Sequence, residues 1–271
     1  MKYYAYKKII SVIFCIPDKV ISFILGILNK NTQKIVLISF PRSGSNLLLD
    51  TLGNSKNIEN FNEIFNHDSQ FNIDRWKRIK SGYLRKKLLK FMFSYFPISY
   101  LNLMILSTKS KKYVCFKYFF KQQPFILYRI TRLSNTKKMF LYRENVLKNY
   151  VSLMIASENK IWSLRKESNK VKKKISVDFD KFMIFYHNQV RIKNNILNSL
   201  ENVVHYKTTY EQLVKNKLDT INNALTFLDL PIENIKSDLQ KQNSDDLSEI
   251  IINYSEIRKK VNENLPNEEY I

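Results

Sequence analysis

Residues 35–52, IVLISFPRSGSNLLLDTL, constrain this chain more than any other stretch. Ile35 to Phe40 is a run of apolar and β-branched residues broken only by Ser39, the pattern of a short strand buried on both faces. A turn follows, Pro41-Arg42-Ser43-Gly44-Ser45, and then a leucine-rich segment, Asn46 to Leu52, with helical character. A strand, a small-residue turn and a helix in that order make an anion site. Freed backbone N–H groups and the helix dipole converge on one point and favour a phosphate or sulfate there. Ser43 and Ser45 add hydroxyls, and Arg42 adds a guanidinium fork suited to an oxyanion. Gly44 is one of only 4 glycines in 271 residues, so its place in this turn carries weight.

The segment is not a nucleotide-triphosphatase loop, which needs GxxxxGK[ST] to place a lysine on the phosphates and a hydroxyl on magnesium. PRSGSN instead resembles the 5′-phosphosulfate loop of sulfotransferases, whose usual forms are PKSGTT and PRSGS followed by a leucine-rich helix. A second motif extends the resemblance. Lys138 to Tyr142 reads as a strand and runs into Arg143-Glu144-Asn145-Val146-Leu147, with Tyr150-Val151-Ser152 beyond. In sulfotransferases an arginine at this strand end and a serine on the next helix bind the 3′-phosphate of the sulfate donor, which implies that role for Arg143 and Ser152. The RENVL…YVS form is similar to that of the bacterial surface-glycan and lipo-oligosaccharide group. Glu144 and Lys148 read as an i,i+4 pair on the helix surface.

The same resemblance nominates three further residues. Glu63, in an EIF context after the loop helix, is implied as the base towards an acceptor hydroxyl, and a desolvated carboxylate suits that chemistry. His67 is the rival base. Tyr210, in a YEQL element, is implied near the nucleotide base, and Lys241 in a basic loop that closes over the donor. Lys117, within the apolar run Tyr113 to Phe120, approaches the transferred group or is merely solvated.

Length and hydrophobic content suit one globular domain with decorations. The formal charge of +21 favours an anionic ligand, acceptor or surface, or reflects a lysine- and asparagine-rich composition. Two cysteines, Cys15 and Cys115, form no disulfide framework, and His67, His187 and His205 show no ligand spacing, so no metal is expected. Residues 9–28 are strongly apolar but carry Pro17, Asp18 and Lys19 at their centre. The apolar side chains favour membrane insertion by roughly 4–8 kcal/mol, and the two charges oppose it by about 2.5–3.5 kcal/mol each. Surface attachment, packing on the core and a true anchor all stay open. Residues 72–112 read as a variable helical insert on the acceptor side, whose apolar run 91–106 is core or pocket lining.

These readings predict an α/β fold: a P-loop-like parallel sheet with helices on both faces, as in the sulfotransferase fold. Residues 1–33 form an apolar, membrane-interfacial segment, 34–262 the catalytic domain and 263–271 a frayed tail. The expected strands are 35–40, 113–120, 138–142 and 203–206. The resemblance implies sulfonyl transfer from 3′-phosphoadenosine-5′-phosphosulfate (PAPS) to a hydroxyl of a glycan or glycolipid. Arg42, Ser43, Gly44, Ser45, Asn46, Arg143, Ser152, Tyr210 and Lys241 hold the donor, and Glu63 and Arg42 act in catalysis. No nucleic acid is called for. The expected location is cytoplasmic, with peripheral membrane contact through residues 1–30. The competing classes are a non-catalytic basic protein binding polyanions or acidic membranes, and a kinase-like phosphotransferase.

Overall fold

The computed structural model describes residues 15–53, 58–69, 72, 83–107, 112–160, 162, 174–231 and 246–265. Strands β1 (Gln33–Ser39), β2 (Ile58–Asn60), β3 (Tyr113–Phe119), β4 (Thr136–Tyr142) and β5 (His205–Thr209) form one five-stranded parallel sheet in the order β2-β3-β1-β4-β5. Helices flank it, as the apolar run at 35–40 requires. All seven residues of β3 are buried, and so are six of the seven in β1, so both faces of these strands are covered. β2 is absent from the sequence reading because it is three residues long and ends in Glu59 and Asn60. Its place comes from the edge of β3, where Ile58 pairs with Tyr113. β5 starts at His205 rather than Val203, and Val204 is 84% exposed.

The chain divides into two compact units. The first comprises Met1–Ser39, Ser55–Met139 and Asn202–Tyr206; the second comprises Phe40–Asn54, Phe140–Glu201 and Lys207–Ile271.

In the first unit β1 and β3 pair in register from Gln33↔Tyr113 to Ser39↔Phe119. Helices α1 (Cys15–Leu28), α3 (Tyr83–Tyr95), α4 (Pro97–Leu106) and α5 (Leu127–Thr131) also belong here. The apolar run at 91–106 is core: Phe93, Ile98, Tyr100, Leu101, Met104 and Ile105 are all buried. Pro97 splits it into two helices by opening α4 at its first turn, where no N–H is needed. The N-cap of α4 is Phe96, which has no side-chain acceptor. Asp18 of α1 supplies the acceptor from a distant part of the chain. Its carboxylate takes N–H bonds from Ser99 at 2.9 Å and Ile98 at 3.4 Å, and Arg129 of α5 pairs with it at 2.5 Å. Asp18 is fully buried. The residue that counts against membrane insertion in the sequence is therefore a neutralised tie between three helices. Asn102 Nδ2 donates to Ser22 O at 3.0 Å and Asn29 Nδ2 to Asn102 O at 2.8 Å, so α1 is stitched to α4 along its length.

The second unit holds α2 (Ser45–Gly53), α6 (Val146–Asn159), α7 (Phe179–Leu200), α8 (Tyr210–Lys215), α9 (Lys217–Phe227) and α10 (Tyr254–Asn264). Its core gathers Leu147, Tyr150, Val151 and Ile155 of α6, Phe182, Phe185 and Tyr186 of α7, and Ile257 and Val261 of α10. Asp178 caps α7 as the sequence suggests, accepting from the Lys181 N–H. α6 starts at Val146 with Asn145 as its cap, so Glu144 stands before the helix. It cannot form the expected i,i+4 pair with Lys148. α10 continues to Asn264, into the stretch expected to fray.

Removing the Asp18 carboxylate strips two helix N–H groups and one guanidinium of their acceptor at once. Asp18→Ala should cost about 3 kcal/mol or more in unfolding free energy. Asp18→Asn, which keeps an oxygen for Ser99, should cost about half as much. Urea denaturation of the two variants checks both; a loss below about 1 kcal/mol for alanine would mean the tie is superficial.

Candidate active site

The turn between β1 and α2 is bent by two residues in the left-handed region, Arg42 at φ 65° and Gly44 at φ 83°. Gly44 tolerates that geometry, whereas at Arg42 it stores about 1–2 kcal/mol of strain. Ser43 is fully buried, and its hydroxyl donates to Phe40 O at 2.7 Å. That bond closes the turn from within. Ser45, also buried, is the first residue of α2, and the half-buried Asn46 is the second. The start of α2 follows the turn directly, so the unbonded backbone N–H groups of its first turn lie beside the turn residues.

Gly44 has a second reason to lack a side chain. A Cβ there would lie 2.8 Å from Cδ2 of Tyr210. Tyr210 opens α8 behind Thr209, and Thr209 and Gln212 form a reciprocal capping box that fixes where the ring emerges. Against the ring lies Arg143, whose Cζ is 4.4 Å from its centroid, a cation–π distance. The next residue, Glu211, takes the backbone N–H of Glu144 at 3.0 Å and stands 3.8 Å from Arg143 Nε. The expected role of Tyr210 was beside the nucleotide base; its observed contacts are the loop glycine and Arg143.

Arg42 turns its guanidinium towards α6. Its Nε donates to Ser152 Oγ at 3.0 Å and its Nη1 donates to the carbonyl of Trp162. The partner shown for Ser152 is thus Arg42, whereas the sequence motif groups it with Arg143. The left-handed backbone at Arg42 carries the side chain across to the helix. Asn149 Nδ2 donates to Pro41 O at 3.0 Å and ties the same helix to the turn. The Arg42 guanidinium is pushed down to about 10, first by partial burial and then by the positive charge of Arg143. The two cations are near enough to repel, and the side chain of Arg143 is only 9% exposed. Beside Arg143 opens a cavity of about 310 Å³ lined by Phe40, Tyr142, Glu144, Gln189 and Lys193 among others. Burial and the neighbouring Glu211 raise the Glu144 carboxyl there.

Glu63 belongs to the first unit. The chain stays in register with β3 past β2, through Phe61 N–H to Cys115 O and Lys117 N–H to Asn62 O, then turns at Asn62 with φ 48°. The Glu63 carboxylate then accepts from Lys117 Nζ at 3.1 Å, Gln122 Nε2 at 3.0 Å and Asn66 Nδ2 at 2.9 Å. Three donors fix its orientation while 26% of the side chain stays exposed. Lys117, 3% exposed, is therefore not a solvated lysine. Burial lowers its pKa, and the charge of Glu63 opposes that shift. The loop is pinned from behind by the buried Asn72, which donates to Ile64 O and Asn66 O and accepts from Tyr100 Oη. His67 lies exposed on the same loop beside Asp68. Lys241 lies outside the described residues.

Sequence reasoning missed Asn149, Glu211, Gln122 and Asn72. Glu211 sits inside the YEQL element already singled out, and its carboxylate beside an aromatic was a signal. The other three act through backbone carbonyls or amide groups, and no spacing rule marks them.

No family model matches the chain, and no curated protein matches it either. Among solved structures it is similar to a sulfotransferase from Alicyclobacillus acidocaldarius, with 10% identity over 87% of this chain and 92% of that one, at a TM-score of 0.47. It is also similar to a sulfotransferase from Mycobacterium avium, with 8% identity over 89% and 78%, at 0.46. A third likeness is to retinol dehydratase in a complex with retinol and PAP, with 13% identity over 87% and 82%, at 0.42.

The contact between Gly44 and Tyr210 can be tested directly. Gly44→Ala should cost about 2–3 kcal/mol, part from the left-handed backbone and part from the displaced ring. Adding Tyr210→Ala should relieve only the second part, leaving a coupling of about 1 kcal/mol in a double-mutant cycle of denaturation free energies. Strict additivity would show that the ring does not press on the turn.

Proposed function

We propose that the chain transfers a sulfonyl group from PAPS to a hydroxyl of a glycan or glycolipid acceptor. The observation that supports this reading is Arg42, in the turn that opens α2, with its charged form disfavoured by burial and by the nearby Arg143. An anion placed there removes that repulsion and restores Arg42 towards its ordinary value. The residue set suits a ligand with more than one anionic group. The turn residues Arg42 to Asn46 receive the 5′-phosphosulfate, and Arg143 with Ser152 receives the 3′-phosphate. Arg42, bonded to Ser152, links the two ends. Tyr210 borders the donor, and Lys241 closes over it.

In the reaction the acceptor oxygen attacks sulfur in line, and the bond from sulfur to the bridging phosphate oxygen breaks. Adenosine 3′,5′-bisphosphate (PAP) leaves with that electron pair. Arg42 and the loop N–H groups stabilise the charge developing on the departing phosphate. Glu63 takes the acceptor proton. Lys117, Gln122 and Asn66 are positioning residues that aim its carboxylate.

PAP at 100 times its dissociation constant should stabilise the fold by about 2.7 kcal/mol, a rise of several degrees in melting temperature that persists in EDTA. ATP with magnesium should give less. The opposite ranking would favour a kinase-like reaction, and no response to either would favour a polyanion binder. Arg143→Ala should weaken PAP by roughly 10- to 150-fold and affect a donor analogue lacking the 3′-phosphate little. Glu63→Gln should keep the PAP response while lowering turnover by about 10²–10⁴. PAP affinity should also fall as pH rises through about 10, because the charged form of Arg42 that binds the anion is lost above its lowered pKa.

A further inference from the structure

Helix α1 is inverted with respect to an ordinary surface helix. Its side towards α4 carries Asp18 and Ser22, joined beyond the helix end by Asn29, and all three take part in hydrogen bonds to α4. Its outer side carries Ile16, Val20, Phe23, Ile24, Ile27 and Leu28, which are between 54% and 71% exposed. These positions recur at helical spacing and form one stripe. In water an amphipathic helix turns such a stripe inward. Here the buried Asp18, held by Arg129 and two N–H groups of α4, fixes the opposite roll. An apolar stripe held outward by polar ties is built for an apolar environment outside the protein.

Charge selects the kind of environment. Asp18 is the only acidic residue among residues 1–49, and it is buried and paired. Lys2, Lys7, Lys8, Lys19 and Lys30 lie in or beside the apolar stretch, and of these Lys19 and Lys30 are exposed on the described surface. Helix α3, which also packs on α4, repeats the combination with exposed Leu88 and Phe91 beside exposed Lys87 and Lys90. A protein partner would match the apolar stripe, but the excess of lysine around it suits anionic headgroups over hydrocarbon. The 14 described residues of α1 span about 21 Å. Among the described residues no helix is long and apolar enough to cross a membrane.

We infer that α1 lies flat on an acidic lipid surface, its outer stripe sunk into the headgroup boundary and Lys19, with the lysines flanking the helix, against the anionic headgroups. This inference is independent of the donor-site reading. The test uses the purified full-length chain with vesicles of phosphatidylcholine, alone or mixed with phosphatidylglycerol. The chain should sediment with the acidic vesicles and much less with the neutral ones, and added salt should release it. A Phe23→Trp variant should shift its emission to the blue on binding and be quenched by lipids brominated in the acyl chain. Phe23→Asp combined with Ile27→Asp should lower partition at least about tenfold. Both positions are exposed, so that variant should keep the wild-type melting temperature and PAP response. Failure of the full chain to bind acidic vesicles would overturn the inference, as would undiminished binding by the double aspartate variant. A dimer in solution that the aspartates dissociate, with no vesicle binding, would assign the stripe to a second copy. Release from cell membranes by detergent alone, and not by alkaline carbonate, would replace a surface helix with a spanning anchor.

Discussion

Cations held out of water organise both units of this chain, and each burial demands something to offset it. In the first unit the answers are built in. Lys117 sits in a fully buried strand with Glu63 against its ammonium, and Arg129 closes on Asp18. In the second unit Arg143 stands 3.8 Å from the Glu211 carboxylate, and Arg42 bonds to Ser152 Oγ and to the Trp162 carbonyl. The first arrangement fixes the Glu63 carboxylate and, through Asp18, ties α1 to α4 and α5. The second gathers two arginines, and the like charge of Arg143 adds to burial in lowering the Arg42 guanidinium.

Strain points to the same place. Arg42 adopts a left-handed backbone that a bulky residue avoids, and Gly44 two residues on is crowded by an aromatic ring. Surrounding ties hold the geometry: Ser43 to Phe40, Asn149 to Pro41, Arg42 to Ser152. A turn of this cost survives where its shape is used, and here the shape sends a guanidinium across to α6.

The sheet was legible because its central strands are long, apolar and uninterrupted; Ile35 to Ile38 and Val114 to Phe116 leave no other reading. β2 was not, since three residues with two polar ones acquire strand geometry only from the edge they join. The tight turn before α2 was legible because proline, glycine and serine at that spacing have a local cause. The pairing of Arg42 with Ser152 was not, because it depends on how α6 packs and on a backbone angle that composition does not reveal. Glu63 was visible through its motif, whereas Asn72, which holds its loop, is one polar residue among many asparagines. The apolar character of residues 9–28 was plain, but their orientation was hidden. The charges that appeared to oppose burial in lipid included Asp18, which turned inward.

That orientation is anchored near the start of α1 by one buried carboxylate. Successive residues of a helix are offset by about 100°, so a single-residue insertion between Asp18 and Phe23 would swing Phe23 and everything beyond it by that angle around the axis. Asp18 would still grip α4, but the stripe would come apart, with Ile16 left behind and Phe23, Ile24 and Ile27 carried round towards the protein. The roll of α1 is thus encoded as a distance along the chain from Asp18. A deletion or insertion in this segment would be felt there more sharply than an exchange of one apolar residue for another.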